Sequence, residues 1–377
     1  MKKIAKLSLV AAVAVAGFTT AASAGTLAEA FAASKVKGEL KSQYFEKETD
    51  AGAESSIWVN GGNLSLTTGS FNGLTAGVTF QTSHVATVDG TGYAGDMDAS
   101  GSVMSEAYLA YTLANTTAKV GRQYISTPLV AVSGSRMIKT SFEGIVLVNT
   151  DVPNTTLVAA YADKIANRTG AADGVAGDVD DFDQISKDGA YTVYAKNTSI
   201  ENLALTAQYA TIQDATDIDV IFVEAAYQLD GVKLSAEYVG SDNASADGSL
   251  YGIKADANIM GVALTAAYTT TDDEADVVRG LGAGAYPGYA KLAAGAGGDS
   301  YTKDTDSYLV KAATTVAGVS LSAGYANYDM QTSETSEAEL AAGYAFTKNL
   351  SANVLYTKFG KDDAEDYRFR SYLSYKF

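Results

Sequence analysis

The most chemically pointed stretch of this 377-residue chain is residues 121–144, GRQYISTPLVAVSGSRMIKTSFEG. It carries Arg122, Arg136 and Lys139 against the single acid Glu143, in a chain of formal net charge -17. Such a basic island has two readings: a surface loop with incidental charge, or a loop folded into a pore, where fixed cations decide what passes. A second group, Asp178, Asp180, Asp181 and Asp183, is spaced closely enough to offer hard oxygen ligands to calcium. It lacks the glycine and terminal glutamate of a calcium loop, so a solvated loop is the simpler reading and no metal is expected. His84 is the only histidine and has no nucleophile motif near it, so a general base for hydrolysis is missing and an enzyme is not expected. Gly61-Gly62 is not followed by a helical pattern, which removes a phosphate loop, and no cofactor is implied.

The elements that position these residues begin with compartment. Lys2, Lys3 and Lys6 precede an apolar run from Leu7 to Phe18 and then Ala22-Ser23-Ala24. This reads as a secretory signal peptide over residues 1–24, leaving residues 25–377 as one domain. No other segment approaches the roughly 20 apolar residues of a membrane helix. Cysteine is absent, so neither disulfides nor thiolate metal sites contribute. The acidic balance also argues against nucleic acid as a partner.

Past residue 34 the chain falls into eighteen alternating runs, long enough for tilted strands to cross a bilayer. They begin near Lys35, Ile57, Leu74, Ser102, Ala118, Phe142, Thr155, Ala190, Leu203, Ile218, Val232, Ser249, Val262, Asp306, Val319, Glu337, Leu350 and Asp366. Every second joint is a tight turn, such as Asn72-Gly73, Asn115-Thr116, Asp230-Gly231 or Met260-Gly261, and the joints between are long and polar. Repeats such as Leu203, Leu205, Ala207, Tyr209 and Val262, Leu264, Ala266, Tyr268 put apolar residues on one face and tyrosine at one height, as in an aromatic girdle. The fold expected is all-β: a transmembrane antiparallel β-barrel of the bacterial outer membrane, with short periplasmic turns and long extracellular loops.

Most of the 44 acidic residues fall in the outer loops, whereas the face opposite the apolar one carries both signs. Lys37, Lys41, Arg368 and Arg370 stand there with Glu106, Glu224 and Glu237. So many charges are tolerable only beside water, which makes that face the wall of a water-filled lumen.

The run GRQYISTPL followed by SGSRMIKTSFEG resembles the central segment of OprD-type outer-membrane porins. The resemblance implies eighteen strands, a third outer loop folded into the lumen, and a basic ladder guiding carboxylate-bearing solutes. Arg122 matches the GRQ arginine, Pro128 the TP turn and Arg136 the SR arginine, with Arg368 and Arg370 as ladder members; the chain's six arginines are few for a long ladder. The pore constriction is thus expected at Arg122, Arg136, Lys139 and Glu143, with Arg136 and Lys139 favoured because Arg122 and Lys119 fall on opposite faces. The function expected is passive diffusion of small hydrophilic solutes and ions. The alternative is a structural or adhesive barrel with a plugged lumen. Expected partners are outer-membrane lipid, lipopolysaccharide, small solutes and further copies of the chain in a homotrimer.

Overall fold

A computed structural model describes residues 25–90, 100–169, 181–213, 218–243, 246–293, 295–362 and 364–377. In chain order the strands are β1 (Lys35–Glu48), β2 (Glu54–Thr67), β3 (Leu74–Asp89), β4 (Gly101–Leu113), β5 (Thr116–Gln123), β6 (Ser141–Asn149) and β7 (Thr155–Ala166). There follow a two-residue β8 (Asp183–Gln184), then β9 (Ala190–Asn197), β10 (Leu203–Ile212), β11 (Ile218–Gln228), β12 (Val232–Asn243), β13 (Ala246–Ile259) and β14 (Val262–Thr271). The last five are β15 (Thr305–Val316), β16 (Val319–Met330), β17 (Ser333–Ala345), β18 (Leu350–Lys361) and β19 (Ala364–Lys376). Setting aside β8, a short addition to the end of β7, the eighteen long strands are those the sequence periodicity predicts.

Each long strand pairs antiparallel with its chain neighbour, and β1 pairs with β19 from Glu39↔Lys376 to Glu48↔Tyr367. The ring is therefore closed, and no strand edge faces a medium that cannot hydrogen-bond it. The seam is completed by Gly38 and the terminal Phe377, whose backbones exchange two hydrogen bonds of 3.0 Å. The Phe377 ring lies over Gly38, where a Cβ would stand 2.3 Å from it and turn the ring aside. A short helix α1 (Leu27–Ala32), capped by Thr26 and Glu29 in a capping box, packs at the same end, where Gly69 N–H donates to Ala30 C=O.

The two faces separate as period two requires. Leu205, Tyr209, Leu264, Tyr268, Leu321 and Tyr325 are exposed on the outer face, toward lipid. Trp58 lies there too, its Nε1–H donating to Ser42 Oγ at 2.7 Å, and His84 is exposed on the same outer register. The girdle tyrosines point their hydroxyls toward the loop end: Tyr44 donates to Glu46, Tyr161 to Asp163, Tyr209 to Asp219, Tyr268 to Asp306 and Tyr367 to Glu365.

The lumen face is less polar than the sequence suggests. Phe45, Ile57, Val59, Val103, Val220, Phe222, Val239 and Leu250 are all buried on it, because loops cover them. One turn also differs in detail. In the β4–β5 turn the left-handed residue is Ala114, with φ 51, rather than Asn115; Ala317, with φ 50, occupies the same conformation in the β15–β16 turn. An alanine there costs about 1–2 kcal/mol through its Cβ, whereas asparagine visits this region readily. Ala317→Asn should therefore stabilise the folded barrel by up to about 1 kcal/mol, seen as a higher urea midpoint for unfolding from detergent micelles.

Candidate functional site

The segment between β5 and β6, residues 124–140, does not extend outward with its sister loops. It crosses the inside of the ring. Near its start Leu129 N–H donates to Gln208 Oε1 at 2.9 Å, and Thr127 Oγ1 accepts from Gln208 Nε2 at 2.7 Å. Gln208 is on β10, across the ring from β1. Toward its end, Lys41 Nζ on β1 donates to the carbonyls of Arg136 and Met137 at 3.2 and 3.0 Å. Gln81 on β3 grips Lys139 at both backbone groups, accepting from its N–H at 3.1 Å and donating to its C=O at 3.3 Å.

Apolar contacts explain why the segment lies down on the wall. Met137 packs with Phe45, Ile57 and Val59, and Ile138 packs with Val103. Gly61 leaves the wall bare beneath Met137: a Cβ there would stand 2.1 Å from Thr82 O on β3 and 3.0 Å from Met137 Cγ. On the opposite side Ile125, Leu129 and Val130 join the buried lumen residues of β10 to β13. Burial of this kind contributes about 1.5–3 kcal/mol per large side chain, before ordering costs.

Of the four residues expected at the constriction, the structure brings two together with the lumen charges. Arg136 is 5% exposed, and its guanidinium lies 5.3 Å from the centre of the Phe45 ring, with that of Arg370 4.9 Å from the same ring. Lys139, half-buried, stands close enough to Lys41 and Glu39 for their charges to interact, as does Lys376. Glu39 also accepts from Ser374 and lies 3.8 Å from Lys376 Nζ. Lys37 is exposed further toward the turn end of β1, and Arg368 stacks 4.2 Å from Phe359. Lys41, Lys139, Lys376, Arg136 and Arg370 thus form a basic flank, with Glu39 set among its lysines.

Arg122 and Glu143 are placed otherwise. They are direct cross-strand partners on β5 and β6, joined at 2.9 Å, with the Phe182 ring 4.1 Å from the guanidinium. Alternation sets this pair on the register opposite to Gln123 and Phe142, the residues beside them that are buried toward the lumen. Glu106 is a lumen residue, but Lys119 engages it at 3.4 Å.

The segment between β14 and β15, residues 272–304, also folds inward, and it uses the lumen carboxylates. Tyr289 N–H donates to Glu237 at 2.8 Å, its hydroxyl to Glu224 at 3.0 Å, and Ala293 N–H to Glu339 at 2.8 Å. Burial first, then the nearby Glu237 and Glu224, pushes the Tyr289 phenol up, so it remains a donor. Sequence reasoning left this segment open, because its glycine and alanine have no period; the buried aromatics Tyr289 and Tyr301 are the signal that was there to be read.

Asp178 and Asp180 of the calcium candidate lie outside the described residues, and among the described residues no group of acids and histidines is arranged to hold a metal.

A closed barrel of eighteen long strands, lipid-facing outside and narrowed inside by charged, inward-folded segments, is an outer-membrane channel of the porin class. The chain belongs to the Campylobacter major outer membrane protein family, whose sequence model matches residues 1–371. No curated protein matches it. Among solved structures it is similar to Pseudomonas aeruginosa OccK3 (OpdO), at TM-score 0.77 and 16% identity over 93% of this chain and 97% of that one. Acinetobacter baumannii OccAB4 superposes at TM-score 0.74, with 15% identity over 91% and 98% of the two chains. P. aeruginosa OpdK, solved with vanillate, does so at 0.72, with 15% identity over the same shares. The likeness to OprD-type channels therefore holds for the architecture as a whole.

Replacing Gln81 with leucine removes both hydrogen bonds to Lys139 while keeping bulk. Each is worth about 0.5–1.5 kcal/mol net, so amide exchange across residues 136–140 should quicken about tenfold or more while the strands stay protected. Hydrogen-exchange mass spectrometry of the detergent-solubilised protein measures this.

Proposed function

We propose that the protein is a general diffusion channel for small hydrophilic solutes and ions, in which the basic flank built on the inward loop sets a preference for anions, carboxylates among them. The observation that carries this reading is the gathering of Lys139, Arg136, Lys41, Lys376 and Arg370 about one side of a crossing segment, where a narrow low-dielectric neck strengthens their field. Glu39 stands among the three lysines; the acids of the other wall, Glu224, Glu237 and Glu339, accept hydrogen bonds from the second inward segment. A solute crossing the neck therefore meets cations on one flank and a hydrogen-bonded loop on the other. That one channel of the same architecture was solved with vanillate, a carboxylate, agrees with this preference.

Several companion readings go with it. Residues 1–24 act as a cleaved export signal and 25–377 form the mature barrel. The barrel works as a homotrimer among lipopolysaccharide, and it moves solutes without catalysis or a cofactor. The two inward segments also bring back the structural or adhesive reading, since they pack apolar side chains against the lumen wall. Stable ohmic steps from the wild-type protein in a planar bilayer decide for a channel; silence decides for the structural role.

Lys139 is the better probe of selectivity than Arg136, because Arg136 is buried against Phe45 and an acid there would also unsettle packing. Lys139→Glu should move the reversal potential in a salt gradient toward cation preference. The shift should shrink as salt rises from about 0.1 M, where charges are felt over about 10 Å, to 1 M, where they are felt over about 3 Å. An unmoved potential at low salt removes Lys139 from the neck.

A further inference from the structure

The two inward segments are joined to each other by backbone, and the joint depends on glycine. Val130 and Leu281 form a parallel bridge. Around it Leu281 N–H donates to Leu129 C=O at 2.8 Å, Ala131 N–H to Leu281 C=O at 3.0 Å, and Gly284 N–H to Ala131 C=O at 3.0 Å. The sequence of the second segment here is Gly280-Leu281-Gly282-Ala283-Gly284. At each of its three glycines a Cβ would meet the backbone of the first segment: 2.3 Å from Leu129 O, 2.5 Å from Ala131 O and 2.1 Å from Val132 O respectively. These are contacts with main chain, which cannot swing aside as a side-chain tip can. Alternate glycines thus present a bare edge to a bare edge, a close approach that only glycine allows.

The second segment is itself fixed independently of the first. Tyr289 and Ala293 are held by Glu237, Glu224 and Glu339, and Val278 N–H donates to Ser241 Oγ at 2.9 Å. Val277 N–H donates to Tyr301 C=O at 2.8 Å, and the Tyr301 hydroxyl accepts from Gly288 N–H at 2.6 Å. A wall-anchored segment therefore clamps residues 129–132, four or more residues before the cations at Arg136 and Lys139.

We infer that the segment 272–304 is the positioning element for the basic loop, and that Gly280, Gly282 and Gly284 determine the selectivity of the neck without facing the solute. The inference rests on the reading that Lys139 lies in the conducting neck. The three glycines set the height and tilt at which the loop crosses the lumen, and Lys41 and Gln81 receive its far end. Loosening the clamp lets the first half of the loop lift, which widens the neck and carries the cations away from the path.

Gly284→Ala is the cleanest test, since Gly284 needs no left-handed backbone and the added methyl acts by contact alone, against Val132 O. Gly134→Ala is the control within the basic loop, where the nearest atom to a new Cβ is Lys139 Cε at 3.5 Å. Refolded barrels, checked by their heat-modifiable gel mobility, are measured in planar bilayers for conductance and reversal potential. The expected result is a higher conductance and a reversal potential shifted toward the Lys139→Glu value for Gly284→Ala, with Gly134→Ala at wild type. Because the chain has no cysteine, Val130→Cys with Leu281→Cys gives a single possible cross-link. Oxidation should leave wild-type conductance unchanged and, added to Gly284→Ala, restore it. Wild-type values for Gly284→Ala, or a cross-link that fails to form or alters conductance in the otherwise native chain, would overturn the inference. A silent wild-type protein, or Lys139→Glu without effect, would instead overturn the reading beneath it.

Discussion

Everything in this molecule follows from the rule that a backbone amide placed in hydrocarbon must find its partner within the protein. The strands meet it by pairing all the way round, and the last pair, β1 with β19, is the one that turns a sheet into a ring. The same rule, moved inside, governs the loops. A chain segment lying against an apolar wall loses water on one side, so its amides must be met by side chains or by another segment. Gln81, Gln208, Glu237 and Glu339 meet some, and the joint between the two inward segments meets others.

This accounts for the mixed character of the lumen. Charges that would be unaffordable in a dry core stand beside water along β1 and β19, whereas the faces of β10 to β13 are apolar where the loops lie over them. Lumen carboxylates do two different jobs. Glu39 and Glu106 temper nearby lysines, and Glu224, Glu237 and Glu339 receive donors from the folded segment. Charge at a wall position is therefore not the same as charge offered to a solute.

The strands were legible in the sequence because period two and the alternation of short and long joints are local signals, independent of what lies across the ring. Most strand starts, including Lys35, Leu74, Thr155, Leu203 and Leu350, coincide with the observed ones, and others, such as Ile57 and Glu337, begin a few residues late. The inward course of residues 124–140 could be read from its odd charge and from resemblance. Its anchors could not, since Gln81, Gln208 and Gly61 are ordinary strand residues whose roles exist only once the ring is closed. The seating of residues 272–304 was illegible for a related reason: glycine and alanine at alternate positions signal close approach, but not to what. Arg122 and Glu143 show the limit of charge as a guide, because two opposite charges in register satisfy each other first.

The five tyrosines that donate to Glu46, Asp163, Asp219, Asp306 and Glu365 tie the aromatic belt to a carboxylate collar immediately above it. Displacing the barrel toward the periplasm would drag that collar into hydrocarbon, and displacing it outward would strip lipid from the rings below. Vertical position is thereby latched on the outer side. A bilayer of unsuitable thickness must stretch or thin around this protein, since the protein cannot ride up or down to suit the bilayer.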